Sequence, residues 1–272
     1  MFRYSFKVLV YSICAGLFLC GPAYSLSPEA IAPHKALYEI KMIANHSSGR
    51  LVNVSGKMFY EIESTCDAWL TDHSFNLQYE YSDGSPVKVN SDFSTYETFD
   101  GSRFDFSSTR KQNGKIYQQL RGQAKIENTR RVAEFSKPEG LVFELQENTY
   151  FPIRHTLEMI KNMKNKDTFF NAVIFDGSDE DGPILINAFI GNPSVKRVET
   201  DGQTIDPELL DATAHNVRLA FFVIEDEKSE SDYEMDMVFH ENGVVSDMTI
   251  EYDNFTVRQT LRAIEKLQRP DC

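Results

Sequence analysis

The chain has 272 residues, of which 41% are hydrophobic and 12% aromatic, so it can bury a large core and is neither disordered nor a small disulfide-rich scaffold. Its 41 acidic residues outnumber 28 basic residues. The resulting net charge of -13 disfavours binding to nucleic acid and to anionic membranes, since both are negatively charged.

Residues 1–25 have the three-part pattern of a secretory signal peptide. Arg3 and Lys7 precede an apolar run at residues 8–19, and small residues follow. We expect cleavage after about Ser25 and export of the remaining chain.

Two other interpretations of this segment are weaker. An uncleaved membrane anchor needs roughly 20 apolar residues, and the run is much shorter. Lipid attachment at Cys20 needs a small residue where bulky Leu19 stands. We therefore expect residues 26–272 to form the mature protein.

The mature chain contains two cysteines, Cys66 and Cys272, because Cys14 and Cys20 lie in the signal peptide. An even number of cysteines in an exported protein predicts a disulfide bond, here between these two. A metal site is less favoured because neither cysteine has a ligand at short spacing, and a catalytic thiol is less favoured because Cys272 is the terminal residue.

Runs of alternating polarity recur along residues 26–272 and predict β-strands. These runs are residues 36–43, 57–62, 74–81, 103–107, 115–121, 131–135, 169–175, 184–189 and 234–239. Turn dipeptides such as Asp100-Gly101 and Asn113-Gly114 separate them. Glycine and asparagine allow the positive φ of tight hairpins, so we predict a curved antiparallel sheet in a single domain.

Two segments predict helices. Residues 153–166 follow a proline and have apolar residues at intervals of three and four, which is typical of an amphipathic helix. These residues are Ile153, Leu157, Ile160 and Met163. Further on, Asp206 and Pro207 are suited to the N-cap and first position of a short helix.

The C-terminal segment is ambiguous. Phe255, Val257 and Leu261 favour a strand, whereas Leu261, Ile264 and Leu267 have helical spacing. We predict a strand that continues to about Leu261.

Candidate catalytic chemistry is sparse. His155, in the predicted helix, is a candidate general base, but a histidine at such a junction more often forms local hydrogen bonds. The sequence contains no nucleophile-elbow, zinc-protease or phosphate-loop motif, and no histidines at metal-ligand spacing. We therefore predict a protein without enzymatic activity, with no catalytic residue, metal or cofactor.

The acidic loop at residues 176–182 offers the oxygen ligands that calcium prefers. Its spacing fits an EF-hand poorly, because Asp181 and Asn187 stand where glycine and glutamate are needed. A solvated hairpin tip between strands 169–175 and 184–189 accounts for the loop without an ion.

Five segments in chain order resemble the envelope integrity protein EipB family of α-proteobacteria. They are APHKALY (32–38), GKMFYE (56–61), TFDG (98–101), YFPIRH (150–155) and FDGS (175–178). The two cysteines of the mature chain also match. The resemblance implies a periplasmic β-spiral, a curved antiparallel open barrel that wraps one amphipathic helix and is stabilised by the cysteine pair. It also implies a role in envelope integrity and stress resistance, no established enzymatic activity, and a periplasmic tetratricopeptide-repeat protein as partner.

Two functions fit this reading. The first is a non-catalytic protein that acts through contacts with other envelope proteins. The alternative is a carrier or sensor that holds a lipid or a hydrophobic peptide inside the open barrel. A filled barrel favours the first function, and an apolar cavity of several hundred Å³ favours the second.

Overall fold

The computed structural model describes residues 28–46, 49–127, 130–194, 206–224 and 230–272. The predicted signal peptide and its cleavage site lie outside these residues. No helix in the described ranges is long and apolar enough to cross a membrane.

The described residues form one sheet of fifteen strands. The strands are β1 (His34–Asn45), β2 (Leu51–Ser64), β3 (Ala68–Tyr81), β4 (Val87–Thr98), β5 (Arg103–Gln112), β6 (Lys115–Glu127), β7 (Arg130–Lys137), β8 (Glu139–Glu144), β9 (Thr149–Tyr150), β10 (Phe169–Ile174), β11 (Ile184–Ser194), β12 (Ala214–Val223), β13 (Tyr233–His240), β14 (Val245–Glu251) and β15 (Phe255–Lys266). β1 lies at the centre, between β2 and β15. Successive strands run outward to the two edges, β8 and β9, which leaves the barrel open as predicted.

Neighbouring strands are antiparallel, except that β9 and β10 are parallel. The turn between β5 and β6 shows how the sequence sets this pattern. Asn113 has a φ of 49° and Gly114 a φ of 80°, and two positive φ values in a two-residue turn match the twist of the strands that it joins.

Helix α1 (Pro152–Asn165) confirms the predicted amphipathic helix. The apolar residues that predicted it, Ile153, Leu157, Ile160 and Met163, are all buried. They belong to a hydrophobic cluster with the inner residues of β10 to β13, so the sheet wraps around the helix. The short helix α2 (Pro207–Leu210) is also confirmed, and the Asp206 carboxylate accepts a hydrogen bond from the Glu208 amide at 3.2 Å.

The prediction for the C-terminal segment is wrong in its end point, because β15 continues to Lys266. A β-bulge explains the misleading pattern. Leu37 pairs with Ala263 and Tyr38 with Leu261, which inserts one extra residue into β15. Leu261 and Ile264 therefore both face the core although they are three residues apart, a spacing that suggests a helix.

The predicted disulfide is present in the structure. Cys66, in the turn between β2 and β3, is bonded to Cys272 after β15, and 206 residues separate the two. The bond joins the C-terminus to the end of the barrel that also holds the first turn of α1.

Candidate functional site

A cavity of about 640 Å³ lies inside the barrel. Most of its wall consists of inward-facing residues at alternate positions of the central strands, as the pleat of a β-strand requires. On β2 and β3 these are Val54, Met58, Tyr60, Ile62, His73, Phe75, Leu77 and Tyr79. The wall is mainly apolar and aromatic, which suits an apolar ligand.

One end of the cavity, here called the closed end, is covered by the N-terminal segment and α1. Ile31, Ile62, Ile153 and Phe239 line it. Gly243 lets Ile31 approach closely, because a Cβ at Gly243 would lie 3.1 Å from the Ile31 side chain.

A buried glutamate fixes α1 at the closed end. Glu97, on β4, is 2% exposed, and its carboxylate oxygens accept hydrogen bonds from the amides of Ile153 and Arg154, both at 2.8 Å. These are free N–H groups of the first helical turn, so Glu97 caps the helix from a distant strand. Burial raises the pKa of Glu97 to about 8, although the two hydrogen bonds and Arg154 oppose this shift.

The other end, here called the mouth, is lined by Tyr79, Tyr233, Tyr252 and Phe255. Ring centroids are 6.4 Å apart for Tyr79 and Phe255, and 5.0 Å apart for Tyr252 and Phe255. Tyr252 is partly exposed to solvent. The mouth of the cavity is therefore surrounded by aromatic side chains.

The loop at residues 176–182 joins the predicted hairpin of β10 and β11, and Glu180 and Asp181 at its tip are exposed as predicted, but its glycines are not solvated. Gly177 and Gly182 are buried, and a Cβ on either would lie within 3 Å of the ring of Phe106 or Phe143. The loop can pack this tightly because both glycines lack a side chain and adopt positive φ.

Polar contacts also hold this loop to β5, which lies on the other side of β1 in the sheet. The Arg110 guanidinium donates a hydrogen bond to the Ser178 carbonyl at 2.8 Å. Asp179 lines the cavity beside them, and burial raises its pKa to about 6. Among the described residues, no group of three or more histidine, cysteine, aspartate or glutamate side chains is arranged to hold a metal ion.

His155 lies in the apolar core and is absent from the cavity wall. It is 6% exposed, its ring is 5.4 Å from that of Phe170, and its Nε2 has no hydrogen-bond partner among the described residues. Burial lowers its pKa to about 4, so the ring is neutral at pH 7. Its neighbour Thr156 lines the cavity instead.

Two polar side chains in the wall, His73 and Gln259, were not predicted as site residues. The His73 ring lies 4.7 Å from that of Tyr60, and burial lowers its pKa to about 4. Gln259 is 2% exposed. The alternation of inward-facing residues along β3 and β15 is the sequence signal that places both side chains inside the barrel.

Comparison with known proteins shows similarity to one family. The family model described as EipB-like matches residues 25–268. The chain is 25% identical over 247 residues to the cell envelope integrity protein EipB of Brucella abortus (strain 2308), covering 89% of this chain and 86% of the relative. Its fold is similar to the crystal structure of a β-barrel-like protein of the domain of unknown function DUF1849 from Brucella abortus, with a TM-score of 0.80 and 23% identity over 88% of this chain and 99% of that chain.

Proposed function

The chain belongs to the EipB-like family, and we propose that it supports the integrity of the cell envelope from the periplasm as a carrier or sensor of an apolar ligand, without catalysis. The ligand is held in the cavity inside the barrel.

The cavity carries this proposal. Its volume of about 640 Å³ falls within the roughly 300 to 1,000 Å³ typical of small-molecule sites. A filled barrel would have favoured the role in protein contacts, so the cavity supports ligand binding as the first candidate function. Each methylene group transferred from water to the apolar wall contributes about 0.8 kcal/mol, so a chain of about ten carbons gains about 8 kcal/mol before the entropic cost of binding.

The first experiment tests binding with a fluorescent fatty acid, 11-(dansylamino)undecanoic acid. We expect saturable binding with a blue shift of the dansyl emission, because the fluorophore enters an apolar site. In the variant Leu77→Trp the indole occupies part of the cavity, so binding should weaken by more than about tenfold, or 1.4 kcal/mol.

Ile116→Trp is the matched control, since Ile116 is exposed on the outside of the barrel. It should bind the probe like the wild type. Absence of saturable binding by the wild type, or unchanged binding by a folded Leu77→Trp variant, would contradict the proposal.

A second candidate function is contact with a periplasmic partner, such as the expected tetratricopeptide-repeat protein. Strand β8 favours it, because β8 is an edge strand whose Val142 is 53% exposed. An open edge offers backbone groups and alternate side chains to a peptide that adds to the sheet. Crosslinking in intact cells with wild type and Val142→Lys tests this role, and equal capture of the same partner by both proteins would exclude β8 as the contact.

A further inference from the structure

One side chain in the cavity wall has a hydrogen-bonding group without a partner. Gln259, on β15, is 2% exposed and lines the cavity. Its Oε1 makes no hydrogen bond to the part of the chain that the structure describes. A buried amide without a partner destabilises the folded protein, and buried polar groups in proteins are nearly always paired. Because Gln259 belongs to the cavity wall, a ligand in the cavity can supply the missing partner.

The position of Gln259 sets where this partner must lie. Gln259 is four residues along β15 from Phe255 at the mouth, a distance of about 13 Å along the strand. It pairs with Ile40 on one side and Met248 on the other, and both line the cavity. Beyond this level, towards the closed end, most of the wall is apolar, and His73 and Thr156 are polar side chains within it. A matching ligand therefore has a polar group about halfway along the cavity and an apolar part beyond it.

We infer that the ligand is an acyl lipid whose hydroxyl, ester or amide group forms a hydrogen bond with Gln259 while its chain fills the closed end. This inference rests on the proposed ligand-binding function and assigns Gln259 as a residue that determines specificity.

An acyl lipid suits this wall better than a peptide. An extended peptide brings one N–H and one C=O group for each residue, and each group needs a partner when it is buried. The backbone of the wall is already paired within the sheet. The Tyr38 hydroxyl already donates its hydrogen bond to the Val245 carbonyl at 2.7 Å, so it has no proton to offer a peptide. A peptide would lose most of its hydrogen bonds on entering, whereas an acyl chain has none to lose.

The test compares two probes, dodecan-1-ol and 1-fluorododecane, which are similar in size. The hydroxyl group donates and accepts hydrogen bonds, so it pairs with either orientation of the Gln259 amide, whereas the fluorine is a very weak acceptor. Each probe displaces 11-(dansylamino)undecanoic acid from wild type, Gln259→Leu and the control Ile116→Leu, whose side chain is exposed and lies outside the cavity wall. For each protein we take the ratio of its affinity for dodecan-1-ol to its affinity for 1-fluorododecane. The two probes differ in solubility in the same way for every protein, so this difference cancels when the ratios are compared.

We expect the preference for the alcohol to be about tenfold larger in the wild type than in Gln259→Leu, and unchanged in Ile116→Leu. Gln259→Leu removes an unpaired polar group and should fold, which circular dichroism checks. If it does not fold, Gln259→Met serves in its place.

Equal preferences in wild type and Gln259→Leu would overturn the role of Gln259 and leave the proposed function standing, because the dansyl probe still binds. Failure of the wild type to bind the dansyl probe would overturn both. Displacement by an apolar, end-capped hexapeptide but not by dodecan-1-ol would overturn the lipid assignment in favour of a peptide.

Discussion

Acidification should destabilise the protein through His155. In the folded protein this histidine lies on the buried face of α1, where burial lowers its pKa from 6.5 to about 4. As the pH falls from about 6.5 towards 4, the unfolded chain binds a proton at this histidine while the folded chain does not. The unfolded state is then favoured, so the contribution of His155 to stability is complete above pH 6.5 and is lost as the pH falls through this range.

The magnitude follows from the two pKa values. A shift of one pKa unit corresponds to about 1.4 kcal/mol, so protonation at His155 lowers the free energy of unfolding by about 3 kcal/mol when the pH is below both values. Between pH 7.5 and pH 5.0 the loss is about 2 kcal/mol. Replacing His155 with leucine removes the titrating group and an Nε2 that has no partner among the described residues, while keeping a side chain of similar size.

Urea unfolding at pH 7.5 and pH 5.0, followed by the fluorescence of the single tryptophan, Trp69, measures this difference. Wild type should lose about 2 kcal/mol more than His155→Leu between the two pH values. The control Met159→Leu, a swap of similar volume on the same helix, should behave like the wild type. His73 titrates in all three proteins, so its contribution cancels. Equal losses in wild type and His155→Leu would refute the assignment of a buried, neutral His155.

Three further substitutions test the packing, each by urea unfolding against wild type. Leu157→Ala should cost about 2 to 5 kcal/mol because the side chain is fully buried, and a loss below about 0.5 kcal/mol would mean that this face of α1 is exposed. Cys66→Ser should leave a folded protein that is less stable by up to about 5 kcal/mol, since the bond to Cys272 closes a loop of about 200 residues in the unfolded chain; unchanged stability would contradict this. Gly177→Ala should cost about 1 to 3 kcal/mol, because its φ is +65° and the new Cβ would lie 2.5 Å from the Phe106 ring, and a neutral result would mean that the loop is not packed there.

The sequence predicts most of the strands and α1 because these elements follow local patterns. Alternating polarity and glycine turns mark the strands, and the apolar residues of α1 are all buried as their spacing predicts. The end of β15 could not be predicted in this way. The bulge opposite Leu37 depends on pairing with β1, which lies more than 200 residues away in the chain.

The candidate site was less predictable for the same reason. Glu97 caps a helix that begins 55 residues later, so no local capping signal marks it. Gln259 stands in a strand of ordinary alternation, and only the curvature of the sheet turns its face into the wall of a cavity. The loop at residues 176–182 has the composition of a solvated turn. Its glycines nevertheless pack on Phe106 of β5 and Phe143 of β8, which are distant from the loop in the sequence.

The two ends of the barrel are built by different interactions. Those at the closed end stabilise the fold, whereas those at the mouth surround the entrance of the proposed binding site. The closed end holds the disulfide, the Glu97 cap of α1, and the contact of Arg269 with the Trp69 ring, whose centroid is 5.2 Å away. The mouth is lined by the aromatic side chains of Tyr79, Tyr233, Tyr252 and Phe255, which remain partly exposed. Because the anchoring interactions lie at the closed end, substitutions in the aromatic rim of the mouth should leave the disulfide and the helix cap in place. The proposed carrier function requires this division, since a carrier must load and release its ligand while its fold persists.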